Sequence, residues 1–317
     1  MSNNQTMLAS NHAFIFPGQG SQAMGMLAEF SDNQQVTETF ELASDALGYN
    51  LWGLCQNGPE ENLNQTDKTQ PALLTASVAL WRVWQQRAPV PALLAGHSLG
   101  EYSAFVCAGI IDFVDAVKLV EKRGLFMQQS VPAGVGKMAA IIGLDDDKVE
   151  QACASAAGNE VVSPVNYNSP GQIVIAGNAE AVERAIEACK ESGAKRAMPL
   201  AVSVPSHCML MKPASEQLAE ELQTVEFSAS DIKVVNNVDV KIETEASRIK
   251  DALVRQLYCP VRWSECINFM AKQGVDHLVE CGPGKVLSGL NRRIDRSLTS
   301  SQINQIDSLN QLVESLS

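Results

Sequence analysis

The sequence predicts an α/β fold in which a main domain is interrupted by a smaller β-rich unit. Two short apolar runs, 13–16 and 91–95, each lead directly into a Gly-containing turn, as the buried strands of an α/β sheet do. Residues 132–204 then follow the order β-α-β-β-α-β, which is the ferredoxin-like pattern. We therefore expect a main domain made of residues 1–131 and 205–317, with an inserted ferredoxin-like subdomain at 132–204.

Periodic apolar residues predict the helices of the main domain, and short apolar runs predict its other strands. Asp112 is a plausible N-cap, and Pro260 marks the end of a later helix. Residues 1–11 are polar and lack the pattern of a signal peptide, so we interpret them, together with His12, as a loose extension. The predicted helices cover 36–47, 71–87, 101–108, 112–129, 251–258 and 263–272, with one more after the turn at 280–284; the strands cover 232–235 and 275–279, and a polar linker with a short amphipathic segment ends the chain.

The inserted unit is divided by clear turn and capping signals. An Asn-Ser-Pro-Gly turn joins its two middle strands, and Asn178 is suited to cap its second helix. In chain order the predicted elements are a strand over 137–144, a helix over 145–157, strands over 161–165 and 172–176, a helix from 178 to 192 and a strand over 197–204.

Composition narrows the functional classes. Of 317 residues, 45% are hydrophobic and 19% charged, which is typical of a soluble globular enzyme. The net charge of −12 argues against a nucleic-acid-binding protein, and no apolar run reaches the ~18 residues of a membrane span. The eight cysteines contain no C-x-x-C pair, so we expect free thiols in a reducing cytoplasm and no metal site.

Residues 96–100 read Gly-His-Ser-Leu-Gly and fit the G-x-S-x-G nucleophile elbow. The motif follows a predicted strand and precedes a predicted helix, which is the context that it requires. Gly96 and Gly100 would let strand and helix approach closely, and Ser98 would stand on a sharp turn with its hydroxyl exposed. The N–H groups of the first helical turn would point toward it. The sequence therefore predicts that Ser98 is a nucleophile.

Two further loops carry candidate groups for that chemistry. The turn at 17–22 follows the first strand and exposes backbone amides, but it lacks the lysine of a phosphate-binding loop. His207 follows a strand end and a proline, a loop position suited to a catalytic base. Of the other histidines, His97 lies inside the elbow and His277 lies in an alternating strand, where it can simply face outward.

Arg123 falls on the apolar side of its predicted helix, between Ala116 and Leu119 in projection. A buried cation requires a nearby anion, because an unpaired buried charge is costly. The pattern is equally compatible with a structural ion pair and with an anionic ligand.

Together these motifs resemble those of the malonyl-CoA:acyl carrier protein transacylases of type II fatty acid synthesis. The resemblance runs from Phe14 to Ile294 and implies an α/β-hydrolase-like core with an inserted ferredoxin-like subdomain. It rests on Phe-Pro-Gly-Gln-Gly-Ser-Gln at 16–22, Gly-His-Ser-Leu-Gly-Glu-Tyr-Ser-Ala at 96–104, Arg123, Asn-Tyr-Asn-Ser-Pro-Gly-Gln at 166–172, Pro-Ser-His at 205–207, Gln-Leu-Tyr at 256–258 and Gly-Pro-Gly at 282–284.

The resemblance implies ping-pong transfer of a malonyl group from malonyl-CoA, through Ser98, to the phosphopantetheine thiol of acyl carrier protein, with no bound cofactor. His207 would be the base, a main-chain carbonyl near Gln256 would orient it, and Arg123 would bind the malonyl carboxylate. The resemblance further implies an oxyanion hole of the backbone N–H groups of Gln19 and Leu99, and pocket residues His97, Asn168 and Met127.

Two other functions share these features. A serine esterase or thioesterase would use the same elbow but usually has an acidic residue between Ser and His, and a non-catalytic carrier-binding module would carry an inert Ser98. Arg292 and Arg293 form a local basic cluster that predicts either a docking patch for acyl carrier protein or an ordinary solvated helix face. Residues 204–207, Val-Pro-Ser-His, match neither extender-selecting tetrapeptide of polyketide acyltransferase domains, whereas Leu99 is malonyl-like.

Overall fold

A computed structural model describes residues 11–91, 93–201 and 204–316. Its elements alternate along the chain in the α/β manner. The strands are β1 (His12–Phe16), β2 (Leu93–Gly96), β3 (Gly136–Ile142), β4 (Val162–Ser169), β5 (Gln172–Asn178), β6 (Arg196–Pro199), β7 (Lys233–Val235), β8 (His277–Glu280) and β9 (Thr299–Gln302). The helices are α1 (Gln34–Leu47), α2 (Leu51–Asn57), α3 (Glu60–Leu63), α4 (Thr66–Gln85), α5 (Gly100–Cys107), α6 (Phe113–Ser130), α7 (Asp146–Ala157), α8 (Ala179–Glu191), α9 (Lys212–Thr224), α10 (Ala246–Gln256), α11 (Trp263–Lys272), α12 (Val286–Ile294) and α13 (Ile306–Leu316), with short 3-10 turns at Ala28–Phe30 and Met209–Met211.

The larger sheet is parallel and has the strand order β7-β2-β1-β8-β9. Both of its faces are covered, so its strands are apolar on both sides. Phe14 and Phe16 of β1 pack into the core that contains Trp81 and Trp84 of α4, while Ala13 and Ile15 belong to a second core on the other face. Because the strands are parallel, their carboxyl ends meet at one edge, and β1 and β2 lead there into the loops at 17–22 and 97–99.

The smaller sheet is antiparallel and has the order β4-β5-β3-β6. Helices α7 and α8 cover one face and enclose a separate apolar core. The opposite face contributes Met138, Val174 and Ala176 to a cluster with Cys208, which follows His207 in the chain. This face therefore packs against the loop that carries the predicted base.

Most predicted elements are present, with displaced ends. His12 was assigned to the loose extension, and that assignment is wrong: it begins β1, is 2% exposed, and its ring packs against Phe14 and Trp84. The strand predicted over 197–204 ends as β6 at Pro199, and residues 202–203 lie outside the described residues, as do residues 1–10 and Ala92. Helices α2, α3 and α9 and strand β9 were not predicted.

Candidate active site

Ser98 lies on the turn between β2 and α5 and has a left-handed backbone conformation, with φ of 52°. Strand and helix meet so closely here that neither flanking glycine has room for a side chain. A Cβ on Gly96 would lie 1.8 Å from the carbonyl carbon of Gly100, and one on Gly100 would lie 2.0 Å from the carbonyl oxygen of Phe16. The sequence thus forms a true nucleophile elbow, which displays the serine hydroxyl at the edge of the sheet.

His207 forms a hydrogen-bonded chain with this hydroxyl. The Ser98 Oγ lies 2.7 Å from His207 Nε2, and His207 Nδ1 lies 2.6 Å from the main-chain oxygen of Gln256. A carbonyl can only accept, so Nδ1 carries the hydrogen and Nε2 is left to accept the serine proton. Burial, and then the nearby Arg123 charge, lower the pKa of His207 to about 3. The imidazole is therefore neutral and available as a base at pH 7.

Two backbone N–H groups belong to residues that line the cavity beside the nucleophile. Gln19, in the loop after β1, and Leu99, directly after the nucleophile, line a cavity of about 100 Å³ together with Ser98. Among the hydrogen bonds of the described residues, neither of these two N–H groups donates. Gly18 makes the approach of the loops possible, since a Cβ there would lie 2.5 Å from the His97 carbonyl oxygen. Free amides beside a nucleophile can stabilise an oxyanion.

Arg123 of α6 is 1% exposed and lies beside the nucleophile. Its Nη1 donates to Gln70 Oε1 at 2.8 Å, and its Nη2 donates to Gln256 Oε1 at 3.0 Å and lies 3.4 Å from Ser98 Oγ. Within the part of the chain that the structure describes, no carboxylate forms an ion pair with it. The structural ion pair left open by the sequence is thus absent there, and the guanidinium is held by two neutral amide oxygens.

The remaining predicted pocket residues lie around this centre. His97 and Met127 line the cavity, and Met127 also contacts Gln70 through its sulfur. His97 Nε2 lies 2.8 Å from Asn168 Oδ1, and its ring packs edge-on against Trp263. Asn168 therefore contacts His97 and is absent from the cavity lining, where Asn166 of the same strand lies instead. Burial lowers the pKa of His97, and its Nε2 is already engaged.

Sequence reasoning missed three buried polar residues that support these groups: Gln70, Glu101 and Asn237. Asn237 Oδ1 accepts from the Ser98 N–H at 2.8 Å, while its Nδ2 donates to the Gly96 carbonyl at 2.7 Å, so it spans the elbow. Glu101 is fully buried, and burial raises its pKa to about 7. Two sequence signals could have found Glu101 and Asn237: the carboxylate inside the helix after the elbow, and the Asn pair at the carboxyl end of a buried strand.

Arg292 and Arg293 lie away from the nucleophile, exposed on α12. Together with Arg296, Gly289 and Pro170 they line an open cleft of about 790 Å³. In the described ranges these arginines make no ion pair, and Arg293 donates to Gln172 Oε1 at 2.6 Å. The cleft adjoins the β4–β5 turn, two residues after Asn168 in the chain.

Other features bear on the predicted class. All eight cysteines are free thiols, and seven of them are buried. Within residues 11–91, 93–201 and 204–316, no three His, Cys, Asp or Glu side chains lie together so as to hold a metal ion. Over the same residues, none of the helices has the length and apolar character needed to cross a membrane.

A parallel α/β sheet with a serine on a nucleophile elbow and a histidine hydrogen-bonded to its hydroxyl is the arrangement found in enzymes that act through an acyl-serine. The family model described as acyl transferase domain matches residues 13–307. The chain belongs to this family, and within it to the malonyl CoA-acyl carrier protein transacylases.

The similarity extends over almost the whole chain. The malonyl CoA-acyl carrier protein transacylase of Salmonella typhimurium is 65% identical over 92% of this chain and 96% of its own length. The crystal structure of an acyl carrier protein S-malonyltransferase from Vibrio cholerae is 62% identical, covers 96% of this chain and 100% of its own, and superposes with a TM-score of 0.94. A malonyl-transacylase solved in complex with a type II PKS acyl-carrier protein is 58% identical over 96% and 100% of the two chains, with a TM-score of 0.95.

Proposed function

We propose that this chain transfers the malonyl group of malonyl-CoA to the phosphopantetheine thiol of acyl carrier protein through a malonyl-Ser98 intermediate. The observation that carries the proposal is the Arg123 guanidinium, which lies 3.4 Å from Ser98 Oγ and lacks a carboxylate partner among the described residues. A malonyl group on Ser98 would bring a free carboxylate to it. The names of the relatives and the carrier-protein complex of one of them support the same reaction.

In the first half-reaction, Ser98 Oγ attacks the thioester carbonyl carbon while its proton passes to His207 Nε2. The N–H groups of Gln19 and Leu99 stabilise the oxyanion of the tetrahedral intermediate. The carbon–sulfur bond then breaks, and the CoA sulfur takes the proton back from His207. The Gln256 carbonyl stabilises the transient imidazolium through Nδ1.

In the second half-reaction, the carrier-protein thiol gives its proton to His207 and attacks the malonyl ester. The ester carbon–oxygen bond breaks, Ser98 recovers its proton, and malonyl-carrier protein leaves. Arg123 holds the free carboxylate in both halves by charge-assisted hydrogen bonds. His97 and Met127 shape the pocket around the acyl group, and Asn168 holds the His97 ring. The chemistry uses only groups of the chain, the thioester and the thiol, so no cofactor takes part.

The esterase alternative predicts an acidic residue that orients the histidine. In the described structure the Gln256 carbonyl occupies that position, and Arg123 favours an acyl group that carries its own charge. CoA release measured with and without acyl carrier protein separates the two reactions. A non-catalytic module would leave Ser98 unlabelled by a serine-directed fluorophosphonate.

We infer that acyl carrier protein docks at the cleft lined by Arg292 and Arg293. These two arginines are exposed cations on a chain with net charge −12, and their cleft adjoins the strand turn that leads to Asn168. Local positive charge would attract an acidic partner that the overall charge repels.

We also propose a fold type for each of the two sheets and a cellular location for the protein. The five-stranded parallel sheet with its nucleophile after β2 supports an α/β-hydrolase-like domain at 1–131 and 205–317. The order β4-β5-β3-β6, with two helices on one face, supports a ferredoxin-like subdomain at 132–204. The free thiols support a cytoplasmic location.

The test is the intact mass of the protein after brief incubation with malonyl-CoA. We expect one added malonyl group on the unaltered chain and none on Ser98→Ala. Peptide mapping should find the group on Ser98, and added acyl carrier protein should remove it. An adduct on a cysteine, or release of the acyl group to water alone, would overturn the proposal.

A further inference from the structure

A buried carboxylate lies beneath the elbow and has no role in the steps above. Glu101 follows Gly100 at the start of α5 and has no exposed surface. Its Oε2 accepts from the Gln256 side-chain Nε2 and from the Asn237 main-chain N–H, both at 2.9 Å. Among the described residues it forms no ion pair. A carboxylate is costly to bury, so its presence here calls for a physical reason.

The Gln256 side chain supplies that reason, because its amide has two different ends. Its Nε2 donates to Glu101 and, at 3.1 Å, to the Ser98 carbonyl. This leaves its Oε1 directed at Arg123 Nη2. If the amide were reversed, its NH₂ group would face the N–H donors of the guanidinium, and the hydrogen bond would be lost. The Glu101 Oε2 already accepts from the Asn237 main-chain N–H, so it presents an acceptor to Gln256 and thereby selects the end of the amide that faces Arg123.

The base depends on a different part of the same residue. His207 Nδ1 bonds to the main-chain oxygen of Gln256, which is fixed by the backbone at the end of α10. A change that frees only the Gln256 side chain therefore disturbs the Arg123 guanidinium and leaves the acceptor of His207 in place.

We propose that Glu101 is a positioning residue for substrate choice, because it fixes the Gln256 amide and, through it, the plane of the Arg123 guanidinium that binds the malonyl carboxylate. The proposal rests on the proposed function. The proposal predicts that the length of the side chain at position 101 affects malonyl acylation more than its charge does. Glu101→Gln retains a carbonyl oxygen at the same reach, whereas Glu101→Asp retains the charge but withdraws it by one methylene.

The experiment measures two rates at Ser98 for each variant. One is kcat/KM for acylation by malonyl-CoA, which needs Arg123, and the other is labelling by an uncharged fluorophosphonate, which needs only Ser98 and its base. Glu280→Asp is the matched control. Glu280 is also fully buried, but it accepts from Leu287 N and Ser288 N at the start of α12, outside this network.

For Glu101→Asp we expect malonyl acylation to fall by on the order of ten- to a hundredfold, as for a lost hydrogen bond to a charged group, while fluorophosphonate labelling changes little. Glu101→Gln should acylate with malonyl-CoA at close to the rate of the unaltered chain, and Glu280→Asp should leave the ratio of the two rates unchanged. Gln256→Leu should also lower malonyl acylation, which keeps the proposal testable if Glu101→Asp fails to fold.

Undiminished malonyl acylation in Glu101→Asp or in Gln256→Leu would overturn the proposal. So would an equal fall of both rates in a folded Glu101→Asp, or a Glu101→Gln variant as impaired as Glu101→Asp. Failure of the proposed function is a separate result, since the unaltered chain would then form no malonyl-Ser98 at all.

Discussion

Arg123→Ala should remove the preference for malonyl over acetyl groups while leaving Ser98, His207 and the two free amides in place. The substitution deletes a guanidinium that is 1% exposed and is held by Gln70 and Gln256. An acetyl group has no carboxylate, so its transfer should change little or even rise once a cation no longer faces its methyl group. Malonyl transfer should lose the charged contact between its carboxylate and Arg123.

The size of the loss follows from burial. Truncating one partner of a desolvated, hydrogen-bonded charge pair costs about 2–5 kcal/mol. At 1.4 kcal/mol per decade, we expect kcat/KM for malonyl-CoA to fall by roughly two to three orders of magnitude. The folded state loses a buried charge but leaves two amide oxygens without a donor, each of which costs about 1–3 kcal/mol. Thermal unfolding should therefore be measured beside the kinetics.

The assay compares kcat/KM of Arg123→Ala for malonyl-CoA and acetyl-CoA. Arg82→Ala is the control, because Arg82 is a half-buried arginine of α4 that lies over the Phe113 ring at 4.7 Å, outside the catalytic cavity. The control should keep the malonyl preference. A matched loss with both substrates in Arg123→Ala would refute the reasoning, because Arg123 would then serve only to hold the structure together.

Two further predictions concern the base and the docking surface. His207→Ala should slow malonyl acylation by on the order of 10² to 10⁴. Because burial lowers the pKa of His207, the ring stays neutral as pH falls, so fluorophosphonate labelling should stay level from about pH 8 to about pH 5; a decline centred near 6.5, the pKa of a free imidazole, would contradict this. Charge reversal at Arg292 and Arg293 should slow transfer to acyl carrier protein, most strongly at low salt, and spare Ser98 acylation; equal slowing of both half-reactions would argue against docking there.

The local sequence was sufficient to predict the nucleophile elbow, because the elbow depends on residues that are neighbours in the chain. The two glycines, the serine and the strand and helix around them are adjacent in the chain, and a Cβ at Gly96 would collide with the backbone four residues away. The apolar periodicity was likewise sufficient to predict that Arg123 is buried, since the face of a helix on which a residue lies is a local property. The capping of α6 by Asp112, which accepts from the Val114 and Asp115 N–H groups, follows from the same short-range rules.

Long-range pairings were not predictable in this way. Asn237 meets Ser98 across 139 positions of sequence, and Gln70 meets Arg123 across 53. Periodicity required an anion for Arg123 but carried no information on which side chains surround it. The burial of His12 was not predicted for a related reason: it depends on contact with the ring of Trp84, which no sequence pattern near residue 12 indicates.

In the proposed reaction, Gln256 would serve both the base and the substrate-binding arginine, through different atoms. Its main-chain oxygen serves His207, and its side-chain amide serves Arg123. A carboxylate in the orienting role would have placed a second anion beside the site that must accept the malonyl carboxylate, and like charges at this distance repel. A neutral carbonyl orients the imidazole without that cost, and among the described residues two neutral amide oxygens hold the guanidinium. Arg123, which forms no ion pair within residues 11–91, 93–201 and 204–316, thus remains available to a substrate carboxylate.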